Sequence, residues 1–335
     1  MTLKVVYSAR YHIDIGLHVF PTAKYLKVHA LLLGTGALES ADVIEPVPAT
    51  WDELALVHTS DYLAKIRTGI LSREDLAQLE LPWSEEMVEG FRLMVGGTIA
   101  TARLACGSAW FDQLTTSEPA ARTDLAGTDS ARPERGCPRH PDGVEGRGIA
   151  CHIGGGLHHA FANHGEGFCP FNDVAVAVRM LQARGIDRVA IVDLDVHHGN
   201  GTAFIFESDP RVFTFSMHQQ HNYPLWKPRG SLDIGLPDGT GDAAYLRALD
   251  EALPKVLASD PRCVFYLAGA DPYEDDQLGG LRLTRDGLRR RDRMVIDAIR
   301  GAGLPLVITL AGGYARHVED TVAIHAATIE EALAG

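Results

Sequence analysis

The chain has 335 residues, 46% hydrophobic and 22% charged, with 34 Gly and 17 Pro, which excludes collagen-like, low-complexity and disordered classes. With 44 acidic residues against 31 basic ones, its net charge of −13 makes it a poor candidate for binding nucleic acid or anionic lipid. No apolar run approaches the roughly 18 residues of a membrane span, the first residues lack a signal-peptide pattern, and five scattered cysteines without CxxC spacing predict free thiols in a reducing cytoplasm.

In chain order, the hydrophobic spacing predicts a short strand at 3–7 and a helix over 22–33 carrying Tyr25, Leu26, Val28, His29 and Leu32. Helices follow over 51–57 and 61–68, each opened by a Thr or Ser cap candidate, and a long one over 85–105. A strand at 148–153 precedes a helix over 173–184, and RVAIVDL at 188–194 reads as a buried strand. A short helix at 202–207, a strand at 212–217, a helix over 242–258 and a strand at 263–268 come next. The pattern closes with a helix over 284–300, a strand at 304–310 and a helix over 319–333. Near-continuous apolar strands alternating with helices predict an α/β fold: a single domain over 1–335 with an open, mainly parallel sheet covered on both faces. The stretch at about 108–147, rich in Pro, Gly, Ser, Thr and Asp without apolar period, reads as a flexible exposed insertion.

In open α/β sheets, ligands bind beyond the carboxyl ends of the strands. Four predicted strands end in polar or Gly-rich clusters: Gly154-Gly155-Gly156-Leu157-His158-His159, Asp195-Val196-His197-His198-Gly199-Asn200, Gly269-Ala270-Asp271-Pro272 and Ala311-Gly312-Gly313-Tyr314. In a parallel sheet these clusters share one edge. Alternate residues of an extended chain point the same way, so Asp193, Asp195 and His197 can face one side. A catalytic zinc takes three oxygen or nitrogen ligands and keeps a position open, so Asp195, His197 and Asp271 form a candidate set. The same set suits iron(II) or cobalt(II). His158 and His159 follow three glycines that allow close approach, and imidazole is the usual acid–base group near neutral pH. Asp193 is then free to orient one of these histidines. Tyr314, after the Gly312-Gly313 turn, can donate a hydrogen bond to an oxyanion. Phe168 and Tyr223 are candidates for apolar channel walls. Cys169 reads as packing, and His198, His218 and His221 receive no role.

The set GGGLHHAF, GFCPFNDVAVA, DLDVHHGNG, AGADPYEDDQLGGL and LAGGYAR resembles the zinc-dependent histone deacetylase family of the arginase/deacetylase fold, above all class IV and its bacterial relatives. VVYSARY, VHTSDYL and VGGTIATA fit the same resemblance. It implies a hydrolase that removes acetyl or longer acyl groups from N-ε-acyl-lysine proteins or peptides by metal-activated water. It implies Asp195, His197 and Asp271 as zinc ligands, His158 paired with Asp193, His159 handling the water proton, and Tyr314 on the oxyanion. Phe168 and Tyr223 would flank the acyl-lysine tunnel. A potassium ion would be held by Asp193, Asp195, Ser216 and the backbone carbonyls of His197 and Met217. Gly156, Gly312, Gly313 and Asn200 would support these groups. Asn200 stands where the larger classes mostly carry Asp, and class IV carries Asn. An Asn supplies no negative charge to raise the pKa of His159, which suits that ring to general base.

The resemblance leaves alternatives open. An acetylpolyamine deacetylase of the same fold would need a carboxylate gatekeeper, and the matching position is Leu278, although Glu274-Asp275-Asp276 lie close by. A long-chain fatty-acyl-lysine hydrolase and an inactive binding scaffold are the others. The oligomeric state has no signal in the sequence.

Overall fold

The computed structural model describes residues 3–107 and 148–334. The insertion expected at about 108–147 lies outside the described residues, as does Cys137; Cys106, Cys151, Cys169 and Cys263 are thiols. Among the described residues, eight strands form one sheet: β1 (Lys4–Val6), β2 (Val43–Ile44), β3 (Ile149–His152), β4 (Val189–Asp193), β5 (Val212–Gln219), β6 (Leu232–Leu236), β7 (Cys263–Leu267) and β8 (Leu306–Thr309). They lie in the order β2-β1-β3-β8-β7-β4-β5-β6, every pair parallel. The chain leaves β3, skips two positions to lay down β4, and later fills the gap with β7 and β8.

The helices are α1 (Ala23–Gly34), α2 (Trp51–Leu54), α3 (Ser60–Thr68), α4 (Arg73–Leu79), α5 (Glu85–Cys106), α6 (Asp173–Ala183), α7 (Asn200–Phe206), α8 (Asp242–Ala258), α9 (Arg285–Gly301) and α10 (Val318–Leu333). Helix starts follow the capping chemistry: Thr59, Ser84, Asn172 and Thr284 each accept a backbone N–H of the first turn. α5 packs on α6 and on β1, β3 and β8, while α1, α10, α9 and α8 pack in a row. All residues of β4 and β7 are buried, as expected of parallel strands covered on both faces.

The sequence pattern differs from the structure at the edges. The helix expected over 51–57 is the single turn α2, closed by Ala55. The short helix expected at 202–207 starts at Asn200. Two edge strands, β2 and β6, and the polar helix α4 carry no apolar run to reveal them; β6 is LDIGL with alternating exposure.

Candidate active site

The loops after β3, β8, β7 and β4 are neighbours, because these strands are adjacent in that order. The four polar clusters therefore meet at one edge. β4 ends at Asp193, and Asp195 and His197 follow directly. Asp195 Oδ1 accepts the His197 backbone N–H at 3.0 Å and lies 3.0 Å from His197 Nδ1. From the next strand, Asp271 Oδ1 accepts the Val196 backbone N–H at 2.8 Å. Its Oδ2 lies 3.3 Å from His197 Nδ1 and makes no hydrogen bond. Asp195, His197 and Asp271, all buried, offer ligand atoms within 4.8 Å of one another.

This donor set fits a divalent metal. Burial and the Asp195 charge push the Asp271 carboxyl up to about 7. Burial opposes a charge on His197, yet the adjacent carboxylates of Asp195 and Asp271 push it up to about 10. Two buried carboxylates thus call for a cation between them, and two carboxylates with one imidazole are suitable zinc ligands. Arg291, fully buried on α9, donates from Nη1 to the carbonyl of Gly269 at 2.6 Å and approaches that of Leu194 at 3.4 Å. It thereby ties the two ligand-bearing loops together.

His158 Nδ1 donates to Asp193 Oδ2 at 2.6 Å, and its Nε2 is 3.1 Å from His159 Nε2. His159 Nδ1 lies 2.7 Å from Asn200 Oδ1. These environments split the pair. Burial opposes a charge on His158, but the Asp193 and Asp195 carboxylates push it up to about 9. Burial, then the charges of His158 and His197, hold His159 well below its ordinary value. The Gly-rich loop that carries the pair is anchored by buried Asp173, which accepts the backbone N–H of Gly156 at 3.0 Å and of Leu157 at 2.7 Å. Gly156 has φ +79°, and a Cβ there would collide with Ala311 in the β8 loop.

Tyr314 is buried, with its ring between Phe168 and His197 at centroid distances of 6.0 and 6.4 Å. Its backbone N–H donates to Asp276 Oδ2 at 2.7 Å, and its hydroxyl bonds to no described residue. A cavity of about 230 Å³ opens above the site, lined by Phe168, Tyr223, Leu278, Tyr314, His159, His197 and Glu80. A smaller space of about 30 Å³ lies behind His159, His197 and Tyr314, lined by Phe20, Tyr25 and Gly156. Phe168 holds φ +66°, a conformation that costs a bulky residue on the order of 1–3 kcal/mol and clusters at functional sites. A larger cavity of about 320 Å³, at the starts of β4 and β5, contains none of these residues.

Asp193 and Ser216 face each other in the β4–β5 register, Asp193 Oδ1 accepts the Asp195 N–H at 3.2 Å, and Met217 is buried beside them. The Ser216 hydroxyl lies 3.0 Å from His218 Nδ1. The acidic run does not reach the channel. Asp276 is buried and accepts the N–H groups of Leu278, Gly279 and Tyr314, and Asp275 pairs with Arg316 at 3.2 Å. The carboxylate that does line the channel is Glu80, which sequence reasoning missed. Lys24 was missed too: it is fully buried, with Nζ donating to the Ala311 carbonyl at 2.8 Å and lying over the rings of Phe20, Tyr25 and Tyr314.

Residues 18–329 match the family model described as histone deacetylase domain. An uncharacterized protein of Picosynechococcus sp. is 39% identical over 310 residues, covering 92% of this chain and 90% of that protein. Histone deacetylase 2 of Arabidopsis thaliana is 30% identical, covering 96% of this chain and 78% of its own length. The crystal structure of the HDA15 HD domain superposes with a TM-score of 0.74 at 24% identity, covering 99% of this chain and 91% of that one. That of an HDAC homolog from Aquifex aeolicus gives 0.74 at 22%, covering 99% and 84%. The shared sheet has the arginase/deacetylase-like architecture that the motifs implied, and the match runs through every loop that builds the site. The chain belongs to the histone deacetylase family.

Proposed function

We propose that the chain is a metal-dependent hydrolase that removes acyl groups, acetyl or longer, from N-ε-acyl-lysine in proteins or peptides. The observation that carries this reading is the buried Asp195–His197–Asp271 set at the inner end of a channel that also exposes His159 and Tyr314. When bound there, zinc, or iron(II) or cobalt(II) in its place, would polarise the acyl carbonyl and acidify the attacking water. Phe168 and Tyr223 flank the aliphatic stem of the lysine, with Leu278 at the mouth, so the stem meets mainly apolar surface. Tyr314 donates a hydrogen bond from its hydroxyl to the oxyanion as the carbonyl carbon becomes tetrahedral. His159, kept neutral by burial and by its charged neighbour His158, takes the water proton and returns it to the departing amine. Asp193 holds His158 in its charged form.

The side chains of Asp193, Asp195 and Ser216 and the carbonyls of His197 and Met217 would hold a structural potassium ion behind the site. The thiols suit a reducing cytoplasm. No described helix is long and apolar enough to cross a membrane. A second reading, acetylpolyamine deacetylation, draws support from Glu80, a carboxylate in the channel wall. The inactive-scaffold reading needs a broken ligand set, and this one is whole. The test is a panel of acetyl-lysine peptide, myristoyl-lysine peptide and acetylspermidine with zinc-loaded protein. The reading expects hydrolysis of at least one acyl-lysine peptide, and turnover of neither peptide overturns it.

A further inference from the structure

We propose that Glu166 is a positioning residue that sets the tautomer of His159 by locking the side-chain amide of Asn200. Glu166 lies in the loop between β3 and α6, with its side chain 18% exposed. Its Oε1 is 2.6 Å from Asn200 Nδ2 and 3.0 Å from the Tyr223 hydroxyl, and its Oε2 is 3.2 Å from His164 Nε2. Burial opposes ionisation of this carboxyl, but the donors His164, Asn200 and Tyr223 hold it below its ordinary value.

The two ends of an asparagine amide are interchangeable in shape, and only the neighbours decide which way it points. An ionised carboxylate accepts and never donates, so the Asn200 atom that meets Glu166 is the nitrogen. The Asn200 oxygen therefore faces His159 Nδ1 at 2.7 Å. An amide oxygen also only accepts, so Nδ1 carries the ring proton and Nε2 keeps the lone pair. Nε2 is the atom that faces His158, on the side of the metal ligands. If the amide turned over, its NH₂ would face Nδ1. The proton would then move to Nε2, and no basic nitrogen would face the reacting centre. Because Tyr223 shares Glu166 Oε1, the same carboxylate also fixes one wall of the channel. A carboxylate thus stands one residue beyond the neutral Asn200 that faces His159.

The inference rests on reading His159 as the base, and its test separates the two. In zinc-loaded, ¹⁵N-histidine-labelled protein, the His159 ring nitrogens report the tautomer directly, whether or not a substrate is turned over. Wild type is expected as the Nδ1–H form. Glu166→Ala is expected to shift His159 toward a tautomer mixture and to lower kcat by about tenfold, the usual scale for an outer hydrogen-bond partner. Glu166→Gln, which can turn its amide oxygen toward Asn200 and Tyr223, is expected to restore the wild-type ring signal and most of kcat. An unchanged tautomer in Glu166→Ala, with kcat within about twofold of wild type, overturns the inference. Should Glu166→Ala fail to fold, Glu166→Ser, which also removes the carboxylate, serves instead with the same two readouts, and an unchanged His159 tautomer with kcat within about twofold of wild type overturns the inference. Wild type that shows the Nδ1–H tautomer but hydrolyses no acyl-lysine would sink the base reading and leave the positioning inference standing.

Discussion

Asp195 Oδ2 accepts the backbone N–H of Gly312 at 2.8 Å, so the loop after β8 closes over a carboxylate just past the end of β4, two strands away. A Cβ at Gly312 would collide with the carboxylate oxygens of both Asp195 and Asp271. The glycine is therefore a condition for bringing Tyr314 beside the two carboxylates.

The metal assignment is open to direct measurement. Asp195→Ala and Asp271→Ala should each lose most of the bound zinc, because each removes one of three ligands. Metal analysis after dialysis reads this, and full retention in both variants removes the assignment.

Much of this site was legible in the sequence because it depends on strand ends. Buried parallel strands announce themselves as apolar runs, and the residues just past them, Asp195, His197, His158, His159, Asp271 and Tyr314, occupy the one edge where ligands bind. What was not legible lies on elements whose local pattern says something else. Lys24 shares the buried face of α1 with Tyr25, Val28 and Leu32, but a lysine normally carries its charge out to solvent, and only the tertiary fold holds it against Tyr314. Arg291 belongs to a run of arginines whose members Arg289 and Arg293 reach Glu331 near the surface, yet its own side chain is 0% exposed. Glu80 ends a short polar helix, and nothing local points it at the channel. Glu166 acts across a loop, through partners far away in sequence. β6 escaped notice because Asp233 and Gly235 alternate with its three apolar residues, leaving a short segment with no continuous apolar run.

Tyr314→Phe keeps the ring and removes only the hydroxyl. Turnover should fall by about 10²–10³-fold, with zinc retained. Wild-type turnover in the variant would reduce Tyr314 to packing.

On the proposed reading, channel specificity turns on Leu278 and Glu80. Leu278 gives the mouth an apolar wall, whereas a second amine on a polyamine needs a partner, since a desolvated cation alone costs several kcal/mol. Acyl-lysine peptides should exceed acetylspermidine in kcat/KM by at least about tenfold, a gap of about 1.4 kcal/mol. Leu278→Glu should narrow that ratio, and Glu80→Gln should widen it by removing the one carboxylate among the described residues of the channel wall. A wild-type preference for acetylspermidine would assign the amine to Glu80.

Lys24 predicts a pH signature in stability. Burial lowers its ammonium from 10.5 to about 8, against the opposing pull of Asp271 and Asp195. Below pH 8 the folded chain bears the full cost of a buried charge, on the order of 3 kcal/mol. Between about 8 and 10.5 the unfolded chain holds the proton and the folded chain does not, so this cost is relieved as pH rises. Urea unfolding of metal-free wild type and Lys24→Met should therefore show a stability difference that shifts in favour of wild type across that window. A difference independent of pH would show that Lys24 titrates normally.

The central claim is that this site hydrolyses N-ε-acyl-lysine with His159 as its base. Quantifying the carboxylic acid and the free lysine amine released from acetyl- and myristoyl-lysine peptides tests it most directly, using zinc-loaded wild type and His159→Ala side by side. The account predicts equal amounts of acid and amine from wild type, and a loss of at least about 10²-fold in His159→Ala with zinc retained. Wild-type rates in that variant, or no release from either peptide by wild type, would contradict it.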